Sequence, residues 1–360
     1  MHILIGIVAF LVIIEILIVL INISAKIFLP QNKMKIKING KQELNAEQGA
    51  SLLEILYENN IYIPSACGGK GTCGYCKVKT NAGKPLSVEL EFLTETEKQE
   101  GYRLACQVKP KKNTEVIIPE AYLNALTYKY EVVSNTPQTS DINKIVFKHK
   151  EGKKLQFKAG QYIQIRVPSD TDEKIFRAYS LASSEYDENK FSLLVKLIPG
   201  GLGSTYLHSV RPKDTIEFTG PYGDWRLDEN SDTELLLIGG GSGLAPLRSI
   251  ILTTLLNQND KLVSFYYGAR TPEDLIDAKM FFELDRKHTN FRFIPSINEK
   301  NNNEWNGHTG FIHIAFANTY LKSKSKVQAF LCGPPPMIEA VLEEMNFKEI
   351  KPAEIFYDKF

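Results

Sequence analysis

The stretch ACGGKGTCGYC, from Ala66 to Cys76, decides the fold of the first third of the chain. It places three of the five cysteines within ten residues and interleaves them with four glycines, and Cys106 follows beyond a charged segment. A zinc site usually has two close pairs of ligands, whereas here one ligand is distant from the other three. The pattern therefore favours a [2Fe-2S] cluster over zinc or structural thiols, and four cysteines are its predicted ligands: Cys67, Cys73, Cys76 and Cys106.

The glycines of this stretch have a physical reason. The bridging sulfides of such a cluster need backbone N–H donors, and a loop can turn its backbone inward only where Cβ atoms are absent. Gly68, Gly69, Gly71 and Gly74 meet that need. The loop is therefore predicted to wrap a metal cluster.

Composition narrows the class of protein. The chain has 360 residues, enough for two or three domains, and its 43 basic and 42 acidic side chains give a net charge of +1. So balanced a charge offers no reason to expect a nucleic-acid partner. The cysteines are too few and too clustered for a disulfide framework, which indicates a reducing compartment.

The N-terminus predicts a membrane anchor over residues 1–28. The run ILIGIVAFLVIIEILIVLINI, from Ile3 to Ile23, has about the 20 apolar residues that a spanning helix needs. A cleaved signal peptide is the alternative, but no Lys or Arg precedes the run. Four lysines follow it, and they place the later domains on the cytoplasmic side of the inner membrane: Lys26, Lys33, Lys35 and Lys37. Glu15, in mid-span, either contacts a partner helix or is protonated within a single span.

A small β-rich domain begins after Pro30. MKIKIN, from Met34 to Asn39, alternates apolar and polar residues as a strand does, and Ser51 can cap the helix of LLEILYENN. The loop CGGKGTCGYCKV resembles plant-type and vertebrate-type ferredoxins. Together with GYRLACQV around Cys106, it is most similar to the F-subunit family of sodium-translocating NADH:quinone reductases. The resemblance implies an α+β domain of β-grasp fold over 33–122, although the first cysteine spacing is one residue longer than in plant-type ferredoxins.

Residues 126–228 are predicted to form an antiparallel β-barrel, because YKYEVV, INKIVFK, QYIQIRV and KFSLLVKL are strand candidates separated by polar turns. This segment contains RAYSLA, from Arg177 to Ala182, which resembles the flavin motif of the ferredoxin reductase superfamily. The resemblance implies FAD, with Arg177 on its phosphate, Tyr179 on the isoalloxazine and Ser180 near N5. GGLGSTY, from Gly200 to Tyr206, is similar to the pyrophosphate loop of that superfamily. Three residues of this loop are predicted to bind the cofactor: Gly203, Ser204 and Thr205. Ala178 and Lys196, on nearby predicted strands, are two further candidates.

Residues 232–360 are predicted to form a doubly wound α/β domain. ELLLIGGGSGLAPLRSI is an apolar strand, a glycine-rich turn and a helix, a unit suited to a pyrophosphate at the helix N-terminus. The later segments LVSFYYGAR and AFLCGPPPMIEAVLEEM add further strands of a parallel sheet, whose ligands bind at the carboxyl ends of the strands. The NADH-binding candidates are Gly239, Gly240, Gly241, Gly243, Gly268 and Arg270, and resemblance of CGPPPM to the ferredoxin reductase superfamily adds Cys332, Gly333 and Pro334.

Three residues are predicted to take part in hydride transfer by resemblance to the same superfamily. Ser180 would lie near the flavin, Cys332 near the nicotinamide, and the terminal aromatic Phe360 over the flavin face. For Cys332, a small buried residue at a strand end is the alternative. NADH is preferred over NADPH because no second basic residue accompanies Arg270 before Asp274.

Electron counting links the three domains. Nicotinamide delivers two electrons at once and a [2Fe-2S] centre accepts one, so a flavin between them is required. The expected route runs from NADH to FAD to the cluster and then to an acceptor. The acceptor is either other membrane subunits of a quinone reductase or, for a tethered reductase, a separate metalloprotein such as an oxygenase. A non-enzymatic electron carrier is a third hypothesis. The short SDTDEKI segment before RAYS departs from the F-subunit family, whose best-known members carry a long insertion there.

Overall fold

A computed structural model of the chain describes residues 2–28, 34–123, 126–169, 174–187, 189–225, 227–228, 232–257, 260–299, 305–322, 326–351 and 354–359. These residues divide into two compact units. The first comprises residues 1–63 and 69–124, and the second comprises residues 64–68 and 125–360.

The first unit begins with helix α1, His2–Phe28. Among the residues that the structure describes, none of the helices combines the length and the apolar character that crossing a bilayer requires. The anchor predicted for residues 1–28 therefore stays a prediction.

The rest of the first unit is a mixed sheet with short helices. Its strands are β1 Met34–Ile38, β2 Gln42–Ala46, β3 Lys77–Thr80, β4 Tyr102–Leu104 and β5 Thr114–Ile117, in the order β2-β1-β5-β3-β4. Its helices are α2 Leu52–Glu58, α3 Glu95–Glu100 and α4 Glu120–Leu123. Ser51 caps α2 in a capping box with Glu54, so the hydroxyl satisfies one of the otherwise unpaired amides of the first turn. The α+β class predicted for this region is confirmed.

The second unit opens with six antiparallel strands. They are β6 Thr127–Pro137, β7 Ile142–Glu151, β8 Tyr162–Val167, β9 Ile175–Ser180, β10 Lys190–Lys196 and β11 Thr215–Tyr222. Their order is β10-β7-β6-β11-β8-β9, and an antiparallel bridge between Leu181 and Leu193 joins the two edge strands. Helix α5, Leu202–Ser209, follows β10. The sheet therefore closes into the predicted barrel, around a core that includes Tyr130, Phe147 and Phe218.

The same unit continues with a six-stranded parallel sheet. Its strands are β12 Thr233–Gly240, β13 Val263–Ala269, β14 Phe291–Ile297, β15 His308–Thr309, β16 Lys326–Gly333 and β17 Ile355–Lys359. Its helices are α6 Leu244–Leu256, α7 Ala278–Lys287, α8 Ile312–Thr319 and α9 Pro335–Phe347. Alternate residues of β12 face opposite cores: Leu235 and Leu237 pack with α6, and Leu236 and Ile238 with α8 and α9. This confirms the predicted doubly wound architecture.

The strand order fixes where this sheet can bind a ligand. The strand order is β15-β14-β13-β12-β16-β17. From β12 the chain continues to β13 on one side, and it later returns to the other side of β12 as β16. In open parallel sheets the crevice at this reversal, at the carboxyl ends of the strands, is where nucleotides bind. Here that edge carries Gly239 and Gly240 of β12 beside Cys332 and Gly333 of β16.

Candidate redox centre and nucleotide sites

The structure brings together two of the four predicted cluster ligands. Cys76 and Cys106 are both buried, and their Sγ atoms are 3.4 Å apart. The backbone holds this pair in place, since the Ala105 N–H donates to the Cys76 carbonyl at 2.8 Å. The side-chain amide of Gln107 also donates a hydrogen bond from Nε2 to Cys106 Sγ, at 3.4 Å. Cys67 and Cys73 are each half-buried.

The chemistry of the buried pair fits iron. The hydrogen bond with Cys106 raises the pKa of the Cys76 thiol far above its usual range, and burial raises it further. Iron–sulfur clusters are held by cysteine thiolates, so this pair supplies two ligands of the required type. Among the described residues, no group of three or more Cys, His, Asp or Glu side chains is close enough to share a metal ion. The complete set of four ligands therefore stays a prediction.

The glycines of the cluster loop have the predicted backbone conformation. Gly68, Gly69, Gly71 and Gly74 all have φ between 63° and 88°, a region that side chains disfavour. At Gly74 a Cβ atom would also lie 2.7 Å from the Phe92 ring. Glycine lets the backbone follow this path without the strain that a side chain would add.

The flavin motif lies on β9, beside the start of α5. A Cβ atom at Gly203 would lie 2.6 Å from the Tyr179 hydroxyl oxygen and 2.8 Å from Cγ of Arg177, so the two motif side chains and this helix turn are in contact. Burial raises the pKa of the Tyr179 hydroxyl to about 12, although the Arg177 charge acts in the opposite direction. Tyr179 therefore stays a neutral ring at physiological pH. Ala178 and Ser180, on the same strand, are half-buried.

The first turn of α5 contains the residues of the predicted pyrophosphate loop. The first amides of a helix have no partner within the helix and carry its positive dipole end, and those of α5 belong to Leu202, Gly203 and Ser204. The Ser204 hydroxyl accepts the Ile198 N–H at 3.1 Å, so it braces the preceding turn. Thr205 is exposed, and its N–H donates to the Gly201 carbonyl at 3.0 Å.

Lys196, which was also predicted to bind the cofactor, forms an ion pair with another residue of the barrel. Its ammonium group lies 3.7 Å from a carboxylate oxygen of Asp141, in a pair that is exposed to solvent. The structure therefore gives Lys196 a partner on the barrel surface, and its predicted contact with a cofactor stays untested.

The glycine-rich turn after β12 makes close backbone contact with β16. A Cβ atom at Gly243 would collide with the Cys332 carbonyl, so the first turn of α6 packs directly on that strand. Gly239 lies beside the same carbonyl, Gly240 packs under the Met337 side chain, and Gly241 has φ of 56°. The close packing of this turn against β16 needs residues without a Cβ atom, which agrees with the glycine-rich sequence.

The remaining predicted residues surround this edge. Gly268, the next-to-last residue of β13, pairs with Gly240, and Nε of the exposed Arg270 lies 3.5 Å from a carboxylate oxygen of Asp274. Cys332 is fully buried, and burial raises the pKa of its thiol well above the usual range. Gly333 is also buried, whereas Pro334 is exposed. Phe360 lies outside the described residues, but β17 brings Lys359, the residue before it, alongside Gly333.

Three largely buried ion pairs were not predicted from the sequence. Glu89 pairs with Arg103 in the first unit, and Asp277 pairs with Arg248 and Lys144 in the second. Their partners are 14, 29 and 133 residues apart, and no sequence spacing links them. A sequence signal exists only for Arg103, which immediately precedes the LAC segment of the last cluster ligand.

Three parts of the chain match described protein families. Residues 36–111 match the 2Fe-2S iron-sulfur cluster binding domain, residues 129–227 the oxidoreductase FAD-binding domain, and residues 237–343 the oxidoreductase NAD-binding domain. The chain therefore binds a [2Fe-2S] cluster, FAD and NADH, and it is an NADH oxidoreductase. The predicted cofactors are confirmed.

Comparison with solved structures supports the same architecture. A cytochrome P450 reductase of Amycolatopsis, GcoB, superimposes with a TM-score of 0.70 at 30% identity, over 91% of this chain and 98% of that one. The ferredoxin reductase in carbazole 1,9a-dioxygenase superimposes with a TM-score of 0.67 at 24% identity, over 91% and 98%. The second likeness concerns the fold alone.

Curated relatives match along the whole chain. A protein of Neisseria meningitidis, named as the F subunit of Na(+)-translocating NADH-quinone reductase, is 31% identical over 404 aligned positions, which cover 100% of both chains. Proteins of the same name from Marinomonas and Klebsiella pneumoniae are 30% and 31% identical, each over 100% of this chain and at least 99% of the relative. This chain therefore belongs to the F-subunit family of Na(+)-translocating NADH-quinone reductases.

Proposed function

We propose that the protein is the NADH-oxidising subunit of a sodium-translocating NADH:quinone reductase. One observation carries the proposal: a single chain joins a [2Fe-2S] domain, an FAD domain and an NAD domain, and it aligns along its full length with relatives of that name. Electrons then pass from NADH to FAD to the cluster, and from there to another subunit. The bound flavin supplies the conversion between a two-electron donor and a one-electron acceptor.

The flavin site is proposed to use the contact between β9 and α5. Arg177 would neutralise a phosphate of FAD, Tyr179 would pack on the isoalloxazine ring, and Ser180 would hydrogen-bond near N5. The amides of Gly203 and Ser204 would hold the pyrophosphate at the N-terminus of α5. Thr205, Ala178 and Lys196 complete the proposed site. The neutral Tyr179 suits this role, because a buried phenolate would repel a reduced, anionic flavin.

The nicotinamide site is proposed at the edge formed by β12 and β16. The turn from Gly239 to Gly243 would hold the pyrophosphate of NADH, and Gly268 and Arg270 would approach the adenosine half. Cys332, Gly333 and Pro334 would line the nicotinamide pocket, where Phe360 would cover the flavin until NADH enters. Because Cys332 is buried, its proposed contribution comes from its backbone and from the shape of the pocket wall. Hydride transfer requires positioning and no side-chain base.

The cluster is proposed to be held by Cys67, Cys73, Cys76 and Cys106. We also propose that α1 anchors the protein in the inner membrane, with the redox domains on the cytoplasmic side. The apolar run from Ile3 to Ile23 and the lysines that follow it support this location. Since one span cannot form an ion path, sodium transport would belong to partner subunits, and Glu15 is a candidate contact with one of them.

One observation favours a second function. The Amycolatopsis protein, at 30% identity and 98% coverage of its chain, is named as a cytochrome P450 reductase. A tethered reductase that supplies electrons to a separate metalloprotein would use the same three domains. The two functions differ in whether the acceptor is permanently bound.

Native electrophoresis distinguishes them. Membranes of the source cell are solubilised in mild detergent, the NADH-oxidising band is located in the gel, and this chain is identified in it by mass spectrometry. The quinone-reductase function predicts a band far above 40.7 kDa that also contains multi-span subunits. A band near the mass of the chain itself would contradict that function and support the tethered reductase.

A further inference from the structure

Asp277 lies where the barrel meets the α/β domain, and its carboxylate joins both. It accepts hydrogen bonds from Nε of Arg248, on α6, at 2.7 Å and from Nζ of Lys144, on β7, at 3.1 Å. Arg248 reaches the barrel as well, since its Nη1 donates to the Ala182 carbonyl at 2.6 Å. All three side chains are largely buried, with exposed fractions of 16%, 11% and 21% for Asp277, Arg248 and Lys144.

The three contacts join segments that carry cofactor-binding residues. Ala182 lies two residues after Ser180 of the flavin motif. Arg248 lies on the helix that starts from the glycine-rich turn, and Asp277 precedes α7, after the loop that carries Arg270. One carboxylate therefore connects the flavin strand, through Arg248, to both nucleotide-bearing turns of the α/β domain.

The backbone of Asp277 is in an uncommon conformation. Its φ of 54° lies in the left-handed region, which costs a non-glycine residue of the order of 1 kcal/mol. Helix capping does not account for that cost, because the side chain makes no capping hydrogen bond to α7. The side chain instead forms the ion pairs with Arg248 and Lys144.

We propose that Asp277 is a positioning residue for hydride transfer, which sets the FAD on the barrel against the NADH on the α/β domain. The inference rests on the proposed electron route. In that step the C4–H bond of NADH breaks and the hydride, with both electrons of the bond, forms a bond to N5 of FAD, leaving NAD⁺ and the reduced anionic flavin. The rate depends steeply on the distance between the two rings. Removing the shared carboxylate leaves two cations facing each other at the junction and loosens the alignment.

The test compares variants of the full chain loaded with FAD and cluster. Asp277→Asn is isosteric and tolerates positive φ, so it removes the charge with little strain. Lys144→Met removes only the barrel-side ion pair, and Lys144→Arg restores it. Asp285→Asn is the matched control, because Asp285 lies on α7 and pairs with Arg292 at 3.4 Å on the surface.

Three quantities are measured: the rate of FAD reduction by NADH in anaerobic stopped flow, its primary isotope effect with C4-deuterated NADH, and backbone hydrogen exchange. Asp277→Asn is expected to slow FAD reduction about 10²-fold, raise the isotope effect and change the Kd of NADH less than about threefold. Backbone hydrogen exchange is expected to become faster in residues 181–184 and 248–253 and to stay unchanged in residues 36–46. Lys144→Met should show a smaller loss that Lys144→Arg reverses.

Two results would overturn the inference. One is wild-type flavin reduction in Asp277→Asn with its FAD retained. The other is a slower FAD reduction in Asp277→Asn that is explained entirely by molecules lacking FAD. In that case the molecules that retain FAD would show the wild-type isotope effect and wild-type hydrogen exchange. If wild-type protein itself fails to reduce FAD with NADH, the proposed function fails instead, so the two failures are distinguishable.

Discussion

Arg103 and Glu89 form a two-point ion pair inside the cluster-binding domain, with Nη2 2.7 Å and Nε 3.0 Å from the two carboxylate oxygens. Both side chains are buried, and Glu89 also accepts the Leu104 N–H at 2.7 Å. Leu104 is two residues before Cys106. The pair therefore fixes the backbone that delivers this cysteine to its site.

Glu89→Gln should destabilise this domain strongly. The change leaves the Arg103 guanidinium buried without a counter-charge, which costs about 3–5 kcal/mol of the free energy of unfolding. Urea unfolding followed by the visible circular dichroism of the cluster would show a lower midpoint. Glu95→Gln is the control, because Glu95 pairs with Lys98 in a surface contact and should leave the midpoint almost unchanged. Equal midpoints for Glu89→Gln and wild type would contradict the assigned role of the pair.

Gly203→Ala should weaken FAD binding. The added methyl group would meet the Tyr179 hydroxyl at 2.6 Å and push the flavin motif away from α5. We expect FAD affinity to fall at least about tenfold, equivalent to about 1.4 kcal/mol. The measurement is the FAD content per chain after dialysis, with Leu202→Ala at the neighbouring exposed position as control. Full FAD occupancy in Gly203→Ala would mean that this contact does not shape the site.

Serine substitutions should separate the fifth cysteine from the cluster ligands. Cys76→Ser and Cys106→Ser should lose the bound iron, because both sulfurs belong to the buried pair. Cys332→Ser should keep its iron, and the buried hydroxyl should cost about 1–3 kcal/mol of stability. Iron analysis and thermal unfolding measure the two effects. Loss of iron from Cys332→Ser in folded protein would be incompatible with the predicted ligand set.

Asp277 should make stability depend on acid pH. Burial favours its protonated form, but the charges of Arg248 and Lys144 outweigh burial and hold the pKa of the carboxyl below its ordinary value of 3.8. The ionised carboxylate therefore contributes stability that is fully present above about pH 4 and is lost as the pH falls through the lower folded-state pKa. Urea unfolding from pH 6 to pH 3 should show the advantage of wild type over Asp277→Asn shrinking toward the acid end. An advantage independent of pH would exclude this ionisation as its source.

Local sequence patterns predicted much of the fold and the cofactors. The cysteine loop, RAYS and the glycine-rich turn after β12 each place special residues within a dozen positions, and each depends mainly on local backbone geometry. Positive φ at Gly71 and Gly74 is such a local property. The apolar run of β12 likewise indicated a strand of a parallel sheet, and the structure buries all eight of its residues.

The ion pairs could not be predicted in the same way, because they arise only when distant segments meet. Lys144 and Asp277 are 133 residues apart, and nothing in either neighbourhood distinguishes them from surface charges. The ion pair between Lys196 and Asp141 is another contact that no sequence pattern indicated.

The sheet of the first unit has a consequence for the order in which the protein matures. Strand β1 pairs in parallel with β5, so Ile36 meets Thr114 and Ile38 meets Val116. During translation β1 must wait until Ile117 has left the ribosome, by which time Cys106 has already emerged. The domain therefore completes its sheet only after every predicted ligand is outside the ribosome.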